Sequence, residues 1–263
     1  NLNLKLRSDF GNAGVVANLK GFTGNKKPAY TGQVSIDNFD FGKTLGDTSL
    51  GKTTGHLDFN GSGLALDQIN AHLSGELAKV YYQGKTYEQI SVDGQLKDQI
   101  FKTQLDINDP AAKVSWKGDI DLRNPTLAIS GDTKVSFLDL KKMGFVTQDI
   151  QIQGDLDLRT LELDPKNPKI DLNGKNINVY VDKKMYALGD LYLKSLNTEN
   201  KKQLRLETAF AEISLDGNFE YDQLQEVIMT EINKYFKLPG FTPKIAQRDY
   251  NMQVVGNVMY DPI

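Results

Sequence analysis

Two histidines, two close pairs of aspartates and one tryptophan are the residues of this 263-residue chain whose chemistry invites a first look. Carboxylates two positions apart, as in Asp119/Asp121 and Asp155/Asp157, are the raw material of acid–base pairs. Histidine would supply a base near neutral pH or a metal ligand. The surroundings argue against both. His56 stands beside Gly55 and His72 between Ala71 and Leu73, neither at metal-ligand spacing. The aspartates occupy alternate positions of segments that read as strands, so they project from one wet face, where solubility alone asks for charge. The stretch "GFTGNKK" has glycines and lysines without phosphate-loop spacing. The chain has no cysteine, which removes disulfides, thiolate metal sites and thiol nucleophiles. No catalytic residue, cofactor or metal is expected, and the chain does not read as an enzyme. Trp116 fits either a core or a ligand-stacking role.

The elements that carry these residues are strands. In "AKVSWKGDIDL", residues 112–122, Val114, Trp116, Ile120 and Leu122 share one face, and Ser115, Lys117, Asp119 and Asp121 share the other. Gly118 interrupts the apolar row. "EISLDGNFEY" repeats the grammar with Ile213, Leu215, Gly217, Phe219 and Tyr221, and "IQIQGDLDL" with Ile150, Ile152, Gly154, Leu156 and Leu158. A glycine in a strand interior packs no side chain. Two readings account for it: a bend in the sheet, or room for a guest on a concave face. Under the second, Gly118→Val would fill that room while the fold stays intact.

The glycines keep a period. Gly55 to Gly154 and Gly118 to Gly217 are both steps of 99 residues. Residues 32–122 laid on 131–221 without a gap match at roughly one position in five, which marks an internal repeat. Gly32 meets Gly131, Asp40 meets Asp139, Leu57-Asp58 meets Leu156-Asp157, and Val80-Tyr81 meets Val179-Tyr180. The expected organisation is the end of a preceding repeat over 1–30, one repeat over 31–130 and a second over 131–221. An amphipathic helix and loop follow over 222–241, and a further repeat starts over 242–263. Each unit reads as five or six strands separated by turn signals such as "NGSG" and "NDP". The helix, near 222–236, rests on the stripe Leu224, Val227, Ile228, Ile232, Tyr235 and Phe236. A chain starting on Asn1 with no long apolar run reads as a segment of a longer protein, any membrane anchor lying outside it. The net charge of -3 argues against nucleic acid as a partner.

The order of these motifs resembles the TamB and AsmA-like family of Gram-negative envelope proteins, in a Bacteroidetes-like form. The resemblance is carried by "TTGHLDFNGSGLALDQINAHLSGELAKVYYQGKTYEQISVDGQL" and its copy "IQGDLDLRTLELDPKNPKIDLNGKNINVYVDKKMYALGDLYL". It implies an elongated, curled, taco-like antiparallel β-groove in the periplasm. The protein would be tethered to the inner membrane and would reach a BamA/TamA-like barrel in the outer membrane. It also implies carriage of phospholipid or another acyl-chain lipid between the membranes. The alternatives are a scaffold for outer-membrane β-barrel assembly and secretion, and a structural β-repeat adhesin. On the lipid reading the groove lining is Leu57, Phe59, Leu105, Ile107, Val114, Trp116, Gly118, Ile120 and Leu122 in the first repeat. In the second it is Ile152, Gly154, Leu156, Leu158, Leu204, Leu206, Ile213, Leu215, Gly217, Phe219 and Tyr221.

Overall fold

The computed structural model describes residues 1–22, 27–82, 84–144, 146–162, 164, 167–198, 201–221, 224 and 251–258. Strict apolar–polar alternation, broken only by turn residues, leaves the backbone one economical way to satisfy its polar groups: long antiparallel ladders. The strands are β1 (Leu2–Ser8), β2 (Gly11–Lys20), β3 (Ala29–Asp40), β4 (Leu50–Ser62), β5 (Asn70–Tyr82), β6 (Lys85–Lys97), β7 (Ile100–Asp109) and β8 (Ala112–Asp121). They continue as β9 (Ala128–Asp139), β10 (Ile150–Glu162), β11 (Lys169–Val181), β12 (Lys184–Asn197), β13 (Lys202–Thr208), β14 (Ala211–Asn218) and β15 (Asn251–Val258). All fifteen form one antiparallel sheet in sequence order, curled and open, with β1 and β15 at its two edges. The one described helix is α1 (Phe41–Leu45), five residues long. The helix expected near 222–236 lies outside the described residues, save Leu224.

The 99-residue step is physical. Residue 29 opens β3 and residue 128 opens β9, and β5 and β11 share the same offset at both ends. The bulges keep step too. Ile36 pairs with Gly55 and Phe39 with Thr53, just as Val135 pairs with Gly154 and Leu138 with Ile152. A bulge bends the strand that carries it, so the sheet bends at the same place in each unit. After each bulge comes a buried aspartate. The Asp40 carboxylate accepts from the Lys43 amide at 3.0 Å, and Asp139 accepts from the Lys142 amide at 2.9 Å. Each aspartate amide donates back to the hairpin of the preceding unit, Asp40 to the Phe10 carbonyl and Asp139 to that of Ala111. The turn before β2, β8 and β14 also repeats. Ser8 accepts from the Phe10 amide, Asp109 from Ala111 and Thr208 from Ala211. Three residue types thus perform one task, holding a tight hairpin through its own backbone.

One register departs from the repeat. Leu105 in β7 faces Val92 in β6, but Leu204, 99 residues on, faces Ser195 rather than Leu191. The β13–β14 hairpin has slid four residues along β12. An even slip keeps every side chain on its face, so the pattern tolerates it. At the far end Gly217 pairs with Met252, where the step from Gly131 would place residue 230, so the connection is 22 residues longer.

Removing a capping aspartate should weaken one unit locally. Asp139→Ala is expected to cost about 1 kcal/mol, read as a lower urea midpoint, with Asp40→Ala similar and the double variant additive. Lys142→Ala, which removes an ion pair and a contact with the Phe137 ring made by an exposed lysine, should stay within about 0.5 kcal/mol of the parent chain.

Candidate functional site

Cross-strand pairing assigns each residue to a face. One row starts at Leu2 and passes through Ala17, Gly32, Phe59, Leu73 and Gly94. It goes on through Thr103, Gly118, Gly131, Leu158 and Leu172. It ends through Leu193, Leu206, Ile213 and Gly256. Every one of the fifteen strands contributes, and Thr103 alone is polar, its hydroxyl turned onto the Asp93 carbonyl at 2.9 Å. The next row along begins Asn3, Val16, Gln33, Asp58, Ser74, Asp93 and continues through Lys117, Asp132 and Asp157 to Asn257. Apolar and polar rows therefore run side by side across the strands, projecting to opposite sides of the sheet.

The residues expected to line a groove fall together. Leu57, Leu105, Trp116 and Leu156 share one row, Phe59, Gly118, Leu158, Leu206 and Ile213 the row above, and Ile120, Leu204 and Leu215 the next one of the same face. Ile107, Val114 and Gly154 form a fourth row, Ile152 stands beside it, and Gly217 continues the face at the end of β14. Leu122, Phe219 and Tyr221 lie just past their strands. Leu122 still bonds across to the Gln99 carbonyl. Phe219 is buried and meets Tyr221 edge to face, centroids 5.2 Å apart. Burial raises the Tyr221 phenol above its usual range, so it stays protonated and donates to Asn197 at 2.7 Å. No described element covers this face, and most of its members are half-buried, shielded by their neighbours alone.

Of the two readings of the glycines, the bend agrees with Gly55 and Gly154 standing at the bulges, and room for a guest does not hold at Gly118. A Cβ on Gly118 would run into the Ser130 carbonyl, with Gly131 Cα and the Trp116 ring each 2.8 Å away. Gly131, directly opposite, holds φ at +141°, which side-chain-bearing residues rarely adopt. The Phe59 ring lies over Gly32 and the Phe101 ring over Gly94. Room for a guest is therefore the wrong reading of Gly118. Its space belongs to the indole and to the adjoining backbone, and the rings lie flat because glycines lie beneath them. The result is an apolar strip paved with side chains.

The residues with chemical potential stay apart. His56 is exposed on the polar face, and His72 Nε2 lies 3.3 Å from Asp93. Among the described residues no group of three or more His, Cys, Asp or Glu could hold a metal ion. Sequence reasoning missed a depression of about 860 Å³ on the polar side, lined by Lys117, Asp132, Lys134, Asp155, Asp157 and Arg159 among others. Its charges are mixed in sign, Lys117 facing Asp132 and Lys134 facing Asp155 but Asp132 facing Asp157, as on any solvated face, so composition carries no signal for it. No described helix is long and apolar enough to cross a membrane. No protein-family model, curated protein or solved structure matches the chain.

Gly118→Val is expected to destabilise the sheet by about 1–3 kcal/mol through overpacking, seen as a lower urea midpoint. Gly256→Val, at a position where an added Cβ would meet nothing within 4 Å, should be tolerated.

Proposed function

We propose that the chain is a lipid-carrying segment, in which acyl chains lie along the apolar face and pass from strand to strand. One observation carries this reading: an apolar row crosses all fifteen strands without a charged residue and without a covering layer among the described residues. At a strand spacing of about 4.8 Å, fourteen steps make a path of about 65 Å. Burying one CH₂ is worth about 0.8 kcal/mol, so exposing a sixteen-carbon chain to water costs more than ~10 kcal/mol. A chain that slides from one row segment to the next equivalent one never meets that barrier. The repeat supports this, because stations six strands apart are built alike and differ little in affinity. The cargo class is a phospholipid. The resemblance to TamB and AsmA-like proteins adds the setting to the proposal: the periplasm of a Gram-negative bacterium, an inner-membrane anchor and an outer-membrane barrel as partner.

Native mass spectrometry of the purified chain tests the reading, with co-purifying phospholipid as the expected result. Leu156→Arg sets a charge into the apolar strip. Desolvating it beside acyl chains costs several kcal/mol, so bound lipid should fall at least tenfold, while Asp157→Arg, one residue on and facing the other side, should leave it unchanged. Equal lipid on both variants, or none on the parent chain, would sink the conduit.

A further inference from the structure

Resting on the lipid reading, the hairpin tips between β5 and β6 and between β11 and β12 say where a lipid's charged end goes. Their sequences are "VYYQGKTY" (80–87) and "VYVDKKMY" (179–186), and Val, Tyr, Lys and Tyr recur at identical places 99 residues apart. Few other stretches of the two units agree so closely. Pairing fixes their side. Tyr186 faces Val179, which faces Ile152, and Lys184 faces Val181, which faces Ile150. Tyr87 likewise faces Val80, which faces Thr53. Lys85 and Tyr87, and Lys184 and Tyr186, therefore extend the apolar face to its rim. Tyr186 and Lys184 are exposed, and the Lys184 ammonium sits 5.2 Å from the Tyr186 ring centre. Lys85 is exposed and lies along Gly144 in the loop after β9.

On the apolar face the two rims differ in how their positive charge is spent, although Lys43 and Lys142 beside the near rim are themselves held by Asp40 and Asp139. At the opposite ends of the strands Arg123 is held by Asp121, Lys169 by Glu162, Lys201 by Asp216 and Lys202 by Glu220. Lys20 and Lys97 there have no ion pair among the described residues, but they share a row that projects to the polar side. Among the described residues Lys85 and Lys184 have no carboxylate within ion-pair distance. A phosphate cannot sit on the apolar strip, where its desolvation is prohibitive, so it must ride at one rim. At the far rim of this face it would have to displace Glu220 from Lys202. At the near rim it meets ammonium groups open to it, with the Tyr186 ring beside Lys184, and ammonium groups suit phosphate oxygens.

We infer that Lys85 with Tyr87, and Lys184 with Tyr186, are two phosphate stations for a glycerophospholipid whose acyl chains lie on the apolar face. Headgroups then travel along this one rim, with stations six strands, or about 29 Å, apart.

The test compares two lipids on the full chain by native mass spectrometry: phosphatidylglycerol, and a diacylglycerol with the same acyl chains and no phosphate. The double variant Lys85→Gln/Lys184→Gln should retain about tenfold less phosphatidylglycerol, the factor expected for exposed charge-assisted contacts, with diacylglycerol unchanged. Lys169→Gln/Lys201→Gln, on the other rim, should change neither. Rescue by Lys85→Arg/Lys184→Arg would show that charge is what matters. Parallel loss of both lipids, an undiminished phosphatidylglycerol signal, or an equal effect from the far-rim pair would each overturn the stations while leaving the conduit standing. Binding of neither lipid by the parent chain would overturn the conduit and the stations together.

Discussion

A sheet one layer thick must make its own shelter. In a sandwich the apolar face of one sheet is covered by the other, but here no described element lies over it, and each apolar side chain is shielded only by its neighbours on the same face. Among the described residues only eight apolar ones are buried outright, among them Ile36, Ala112, Val135 and Leu215. Cohesion therefore comes from two lateral sources. One is the backbone ladder, in which each interior strand is bonded on both sides. The other is side chains laid sideways across the sheet. Rings over glycines follow from that need: Trp116 over Gly118 and Phe59 over Gly32 cover more backbone lying flat than they would upright.

The same constraint divides labour between the faces. The polar face carries cross-strand ion pairs, such as Lys194 with Asp171 at 3.3 Å and Arg205 with Glu212 at 3.0 Å. Exposed pairs of this kind contribute about 0–1 kcal/mol each. Their value lies more in opposing a one-residue slip, which would set charges into the apolar rows. The apolar face has no such guard and relies on its partner face for register. Buried Asp40 and Asp139 do for the turns what these pairs do for the strands, since each ties a loop to the amides around it.

Much of this was legible in the sequence because period-two alternation is local. The stretch 112–122 read as a strand is β8 to within a residue, and the expected lining residues that fall within strands share one side. The repeat was legible as well, since Asp40 and Asp139, or Gly55 and Gly154, stand in equivalent surroundings. Three things were hidden. The four-residue slide of β13–β14 leaves every face unchanged, so no pattern can register it. The occupant of the space above Gly118 depends on where the Trp116 ring falls, which spacing does not specify. The polar-side depression is built from residues that look like any solvated surface.

Every substantial contact between strands joins consecutive ones. Such a chain has almost no long-range topology to search. Folding can start at any hairpin and extend as a zipper, each new strand finding a finished edge as its template. The hazard of that economy is mispairing, because β8 accepts β9 and β14 accepts β15 through the same kind of ladder. A growing edge could therefore recruit the wrong copy and loop out a whole unit. Divergence between the repeats, with roughly four positions in every five different, works against that error, as unlike neighbours do in other repetitive chains. The sequence thus balances two demands: units alike enough to make equivalent steps, and unlike enough to be told apart while the sheet is still being laid down.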